Sequence, residues 1–178
     1  SGGEYWRRRT EKHGRHAVLN LAHPIGDFER VTVQQRKMLF PVLTNLLLGY
    51  EQTVLDFGCG PGRFTPDLAQ LIGGSAIGMD ISKELIALAP SARNVMYRVI
   101  SENEYFGSDD EFDVVWVCLV LGGISQALLG DTVHLIERAV RRGGLLFLVE
   151  NTSKQPDVPH WSFRSVEQYK DMFSSIDL

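Results

Sequence analysis

Residues 54–65 read VLDFGCGPGRFT. Val54, Leu55 and Phe57 surround Asp56 and read as the end of a buried strand. Glycines at 58, 60 and 62 then bare the backbone at every second position. A chain without Cβ atoms there can turn sharply and let a ligand lie against main-chain atoms. A helix expected from Phe64 would present free N–H groups, which suit a carboxylate or a phosphate. The stretch therefore predicts a strand, a ligand-binding loop and a helix in immediate succession.

Two better-known glycine loops do not match. A dinucleotide loop wants G-x-G-x-x-G, and here Arg63 stands where the third glycine should fall. The phosphate loop G-x-x-x-x-G-K-[ST] is absent. A nicotinamide-dependent reductase on the same sheet is disfavoured on this ground.

Working outward, strands are expected at Thr53–Phe57, Ser75–Met79, Val95–Ile100, Phe112–Leu119 and Leu145–Val149. Helices are expected at Phe64–Ile72, Ser82–Ala89, Asp131–Val140 and Ser165–Phe173. Ser82 is a candidate N-cap, and Gly143-Gly144 a candidate stop for the third of these helices. Glu4–Leu21 reads as a short helix followed by an irregular arm, and His23–Asp27 as a turn. Phe28–Leu48 has amphipathic helical spacing, with Pro41 kinking or splitting it.

Strands that are apolar throughout and alternate with helices imply an α/β fold. The expectation is a doubly wound, Rossmann-like, mainly parallel sheet with helices on both faces. The chain reads as one domain overall. Residues 1–48 form an N-terminal helical arm or lid, and residues 49–178 form the core. Ligands of such sheets bind beyond the carboxyl ends of the strands. The second strand ends there in Gly78-Met79-Asp80. The Asp80 carboxylate could accept two hydrogen bonds from a ribose diol, or simply cap the next helix.

The 178 residues carry a net charge of -4, with 44% hydrophobic residues. This mild acidity gives no electrostatic footprint for nucleic acid. Arg7, Arg8, Arg9, Lys12 and Arg15 form one basic cluster, read as a solvated helix face or as a contact for an anionic substrate. No apolar run is long enough for a membrane helix, and no signal peptide is visible. Ser1-Gly2-Gly3 lacks a start methionine and reads as a tag remnant. Cys59 and Cys118 have no metal-ligand partner at a recognisable spacing, so no metal is expected and a reduced, cytoplasmic setting is.

The glycine stretch followed by IGMDIS at 77–82 resembles the first two motifs of class I S-adenosylmethionine-dependent methyltransferases. The resemblance continues through EFDVVWVCLVLGGIS at 111–125 and AVRRGGLLFLVEN at 139–151. The flanks EYWRRRTEKHG and HWSFRSVEQYKDMF resemble those of bacterial small-molecule or glycan-pathway methyltransferases.

The resemblance implies S-adenosylmethionine as cofactor and S-adenosylhomocysteine as product. It implies that Asp56 orders the loop and helps bind the methionine ammonium, with loop capping as the plainer role. Gly58, Cys59, Gly60 and Gly62 would line the cofactor, and Asp80 would hold the ribose hydroxyls. Ile81 would lie against the adenine or in the core. Ser101 stands where the family's adenine-binding aspartate usually falls, and Glu102 could supply the missing carboxylate. Cys118 and Leu119, at the end of the fourth strand, complete the cofactor-binding set, though Cys118 also reads as a small core residue. Tyr5 and Trp6 would fold over the pocket as a lid, or pack as ordinary aromatics.

Relatives often carry histidine where this chain has Gly122-Gly123. The glycines either leave space beside the methyl group or turn the chain. Candidate bases are then His160 and Glu150, with His23 and Tyr105 behind them; His134 reads as structural. The implied activity is methyl transfer to a small-molecule or glycan-precursor acceptor, without nucleic-acid or membrane partners. A cofactor-binding module without turnover and a protein methyltransferase are the alternatives. The segment 118–121 lacks an Asn/Asp-Pro-Pro-aromatic string, so amino-group methylation of DNA is disfavoured. Family members usually continue with an antiparallel strand pair, which is expected to be missing here. The fifth strand would then keep an open edge through which a homodimer could form.

Overall fold

The computed structural model describes residues 2–24, 26–101, 109 and 111–176. Five strands form its centre: β1 (Thr53–Phe57), β2 (Ser75–Asp80), β3 (Val95–Val99), β4 (Phe112–Cys118) and β5 (Val140–Val149). They pair in the order β3-β2-β1-β4-β5, and all four pairings are parallel. The helices are α1 (Gly2–His13), α2 (Phe28–Leu46), α3 (Thr65–Ile72), α4 (Lys83–Ile86), α5 (Gln126–Ala139) and α6 (Val166–Met172). A 3-10 turn, Gly14–Val18, follows α1, and a second, Leu121–Gly123, follows β4.

Strand alternation divides the core between two faces. From β1 and β4, Leu55, Phe57, Val115 and Val117 face α5 and α6, joining Leu129, Val133, Ile136, Tyr169 and Phe173. Val54, Val114 and Trp116 face the other way and meet Leu43 of α2 and Leu68 of α3. Trp116 is fully buried; it stacks on Phe147 of β5 at 5.0 Å between centroids and meets Phe64 edge-on at 5.4 Å. Both sheet faces are covered, as a parallel sheet requires.

Two helices depart from the expectation, and a third excludes one of the alternatives left open for Pro41. Helix α2 runs through Pro41 without splitting. A proline there removes one helical hydrogen bond, a cost of about 3 kcal/mol, which the burial of Leu43 against the sheet offsets. Helix α5 ends at Ala139, before Gly143-Gly144. Those glycines instead lie inside β5, where the β4–β5 register shifts between Phe112 and Val114 and Gly143 takes a φ of 71°. Helix α4 is only one turn long, with Ser82 as its N-cap as expected: Ser82 Oγ accepts the Leu85 N–H at 3.2 Å. Helix α6 is entered through a capping box between Ser165 and Gln168.

β5 is the outer strand on its side of the sheet, and no antiparallel strand pairs with it among the described residues. No helix among them is long and apolar enough to cross a membrane.

Candidate functional site

The strand order reverses between β1 and β4. The connections that leave β1 and β4 pass to opposite sides of the sheet, and the crevice beyond the strands' carboxyl ends at such a point is where sheets of this kind bind ligands. The glycine loop lines one side. The N–H groups of Gly58 and Cys59 both donate to the Met79 carbonyl, at 2.8 and 3.0 Å, so the loop is drawn against the end of β2. Gly58 and Gly60 adopt φ of 70° and 55°, the left-handed region that side chains disfavour.

Asp80 fastens the same loop from below. Its Oδ2 accepts the Gly60 N–H at 2.8 Å and its Oδ1 accepts the Ser82 N–H at 2.8 Å. The N-cap of α4 is Ser82, so Asp80 is free of that duty. The carboxylate as a whole keeps acceptor capacity for a ligand hydroxyl. Burial pushes this carboxyl above its ordinary range, against the pull of the N–H groups it accepts.

Asp56 sits at the end of β1, buried on the α2–α3 side. Thr65, the first residue of α3, donates its hydroxyl to Asp56 Oδ2 at 2.6 Å. Burial pushes the Asp56 carboxyl up to about 7; the Thr65 bond opposes this and the neighbouring Asp80 adds to it. Such a group favours its proton until a cation arrives. Arg63, where a dinucleotide loop would have glycine, straps the loop to α2. It donates to Thr32 Oγ1 at 3.1 Å and to Gln35 Oε1, and its guanidinium lies 4.9 Å from the Phe64 ring centroid.

Tyr97 of β3 was not singled out from sequence, yet it packs beneath the end of the loop. It is the register partner of Gly78 on β2. A Cβ at Gly78 would stand 2.8 Å from Tyr97 Cδ1 and 2.9 Å from Cys59 Sγ. One at Gly62 would stand 2.5 Å from Tyr97 Oη. The ring therefore fills the space that two glycines leave. Burial pushes its phenol up to about 12. Burial likewise raises the thiols of Cys59, well above the usual range, and Cys118, to about 12. Both cysteines are thus neutral packing groups rather than thiolates.

The other side of the crevice is the turn after β4. Leu119 adopts a φ of 58°, an uncommon conformation for a branched side chain, and its N–H donates to the Val149 carbonyl at 2.8 Å. Glu150 holds the turn in place, accepting N–H groups from Val120 at 2.8 Å, Leu121 at 2.7 Å and Gly122 at 3.4 Å. Burial raises the Glu150 carboxyl, while these N–H groups and Arg164 pull it back. Val120 is thereby set against Gly58, where a Cβ would fall 2.5 Å from Val120 Cγ2. Val18 of the arm covers Gly60 in the same way, at 3.0 Å.

Gly122 turns out to make room for a ring. A Cβ there would stand 2.3 Å from the Trp161 indole, and the Ser162 N–H donates to the Gly122 carbonyl at 2.8 Å. Trp6 approaches Gly123 from α1. Tyr5 stacks on His160 with centroids 4.1 Å apart. Arg9 ties α1 to the arm, donating to Tyr5 Oη at 2.8 Å and to the Ala17 and Leu19 carbonyls at 2.5 and 2.8 Å. Helix α1, the arm and the 158–161 turn thus form one cover of side chains beside Gly60, Gly122 and Gly123.

The remaining expected residues lie around this frame. Ile81 packs against the α5-side core. Ser101 is exposed just after β3. His160 is exposed, on a backbone with φ of 65°. His134 and His23 are exposed on α5 and on the turn before α2, away from the glycine loop's contacts. Glu102 and Tyr105 lie outside the described residues. No group of three or more His, Cys, Asp or Glu side chains is placed to hold a metal among the described residues.

A family model described as a methyltransferase domain matches residues 54–144. A probable cobalt-precorrin-6B C(15)-methyltransferase (decarboxylating) of Thermoplasma acidophilum is 32% identical over 120 residues, covering 63% of this chain and 57% of the relative. A ubiquinone biosynthesis O-methyltransferase of Hydrogenovibrio crunogenus is 28% identical over 102 residues, covering 54% and 41%. The chain therefore spans about half the length of the curated relatives it matches. Among solved structures, the phosphoethanolamine N-methyltransferase 1 of Haemonchus contortus, in complex with phosphoethanolamine and S-adenosylhomocysteine, superposes with a TM-score of 0.73. Its identity is 17%, with 98% of this chain and 40% of that one covered. The DhpI–SAH complex gives a TM-score of 0.68 at 19% identity, covering 97% and 83%. At these identities the structural likeness shows the fold.

Proposed function

The chain belongs to the methyltransferase-domain family, and from that premise we propose that it transfers a methyl group from S-adenosylmethionine to a small-molecule acceptor. The observation that carries this reading is the placement of two carboxyl groups, Asp56 and Asp80, on the two strands whose ends the glycine loop joins. The residues fit the cofactor. Asp80 offers spare acceptor lone pairs for a ribose diol, and the loop offers bare backbone beside it. Asp56 offers a buried carboxyl that a ligand ammonium would draw into its charged form.

S-adenosylmethionine supplies a methyl group on a sulfonium, an already good leaving group, for in-line displacement by the acceptor. The protein's part is then placement and exclusion of water. Val18 and Val120 lie against the glycine loop and Trp6 and Trp161 beside Gly122–Gly123, where they would keep water from the reacting groups. Holding two reactants in line can contribute about 7–11 kcal/mol of barrier reduction. Glu150 is engaged by three backbone N–H groups, so its role is to fix the turn. His160, exposed at the edge of the cover, is the group we assign to an acceptor that must lose a proton.

The relatives named as precorrin and ubiquinone-pathway methyltransferases support a small organic acceptor. The test is incubation with methyl-labelled S-adenosylmethionine and a panel of small acceptors. Methylated product with matching S-adenosylhomocysteine release is expected from at least one acceptor class. A protein that binds the cofactor but releases S-adenosylhomocysteine with none of a broad panel would point to a binding module without turnover.

A further inference from the structure

On the outer side of α1, the helix and His160 border an open cleft of about 440 Å³. It is lined by Arg8, Arg9, Lys12 and His13, by the rings of Tyr5 and His160, and by Glu4 and Leu21. That volume falls within the ordinary range for a small-molecule site. The α1 residues come at helical spacing, so they share one face.

The charges in this cleft do not balance. Arg8 is paired with Glu4, the one acidic group among the lining residues. Arg9 gives its hydrogen bonds to two carbonyls and a phenol, all uncharged, so its positive charge is uncompensated. Lys12 has no acidic partner among the described ion pairs. The surroundings of His13 report the same excess: slight burial, then Lys12, Arg9 and His16, hold its pKa below the ordinary value.

The cleft lies next to the Gly122–Gly123 turn. Tyr5 and His160 form its wall, and their chain neighbours Trp6 and Trp161 lie against Gly123 and Gly122. The cleft and the Gly122–Gly123 turn are thus lined by successive residues of the same two segments.

We propose that this cleft binds the anionic group, a phosphate or carboxylate, of the methyl acceptor. The assignment to the acceptor rests on the methyltransferase reading above; the anion site itself does not. The test is calorimetric titration of inorganic phosphate into the full chain, with and without saturating S-adenosylhomocysteine. Lys12→Glu, at an exposed position, reverses one charge and is checked for folding by its melt. The expected result is phosphate binding that Lys12→Glu weakens by at least about tenfold, with S-adenosylhomocysteine affinity unchanged. Acetate in place of phosphate identifies which anion the cleft prefers.

Phosphate binding that is absent, or equal in wild type and Lys12→Glu, overturns the proposal. If S-adenosylhomocysteine still binds in that case, the methyltransferase reading stands without it. If phosphate binds as expected and S-adenosylhomocysteine does not, the anion site stands and the cofactor reading fails. Vesicles of phosphatidylglycerol form the last arm. Vesicle binding abolished by Lys12→Glu would assign the anion to a lipid headgroup and overturn its assignment to an acceptor.

Discussion

Tyr97 lies across Gly78, its neighbour on the adjoining strand: a Cβ built at Gly78 would stand 2.8 Å from Tyr97 Cδ1. The same ring reaches beneath Gly62, so a side chain on β3 supports a loop that follows β1. Gly78→Ala should therefore overpack a site with no slack, at a cost of about 1–3 kcal/mol. The unfolding midpoint in urea measures this. Tyr97→Leu in the Gly78→Ala background should recover part of the loss, because the smaller side chain vacates the disputed space. A double variant no more stable than Gly78→Ala would separate the two residues.

The Asp56 carboxyl, raised by burial to about 7, makes a pH prediction. Its folded pKa lies above the unfolded value, near 3.9. Between those values the folded state holds more protons, so stability contributed by this group falls as pH rises from about 4 to 7. Asp56→Asn keeps an oxygen for the Thr65 hydroxyl and should flatten that decline. Calorimetric titration of S-adenosylhomocysteine near pH 6 should also release a proton in the wild type and none in Asp56→Asn. Equal binding heat in buffers of different ionisation enthalpy would mean that no proton is released, and would remove Asp56 from ammonium binding.

Asp113 should behave oppositely. Its Oδ2 accepts the N–H groups of Gln52 at 2.6 Å and Thr53 at 2.9 Å, and its Oδ1 pairs with Arg141 at 2.7 Å. Burial alone would raise this carboxyl, but these donors together outweigh it and hold the pKa below the ordinary value. Its stabilisation is thus present above the unfolded pKa and lost as pH falls through the depressed folded one. Asp113→Ala should cost about 1–3 kcal/mol near neutral pH, because it frees the start of β1 from β4. Urea unfolding at neutral and acid pH should show the loss shrinking as acid is added, with the S-adenosylhomocysteine site intact in the folded fraction.

Gly122→Ala should expel Trp161, since the added Cβ would fall 2.3 Å from the indole. Residues 158–163 should then exchange amide hydrogens faster, and tryptophan emission should shift to the red. The sheet core, which Trp161 does not join, should unfold at nearly the same denaturant concentration. Unchanged emission and exchange would show that the cover does not depend on this ring.

Much of this architecture was legible in the chain because it depends on local patterns. Apolar runs marked all five strands, and β1 was delimited correctly at both ends. The Ser82 cap was visible as a serine before a short apolar period. Helix α5 was less legible: Gly143-Gly144 resembles a helix stop, but the parallel pairing of β5 with β4 claims Val140 onward for strand. At the site, glycines and carboxylates were readable, whereas what fills the space beside them was not. Val18, Tyr97, Val120 and Trp161 reach Gly60, Gly78, Gly58 and Gly122 only through the tertiary fold. An unexplained glycine was the available signal, since a missing Cβ can serve a neighbour's volume as readily as a turn. Glu150 illustrates the same limit, because nothing in its own segment announces that it caps a turn after another strand.

The most direct measurement is calorimetric titration of S-adenosylhomocysteine into the wild type and Asp80→Ala. Asp80 accepts two backbone N–H groups and is assigned the ribose, so its loss removes both a ligand contact and the anchor of the glycine loop. Hydrogen bonds to a charged group contribute about 1.5–3 kcal/mol each, so the account predicts tight binding by the wild type and a loss of about tenfold or more in a folded Asp80→Ala. Equal affinity in the two proteins, or no binding by the wild type, would contradict it.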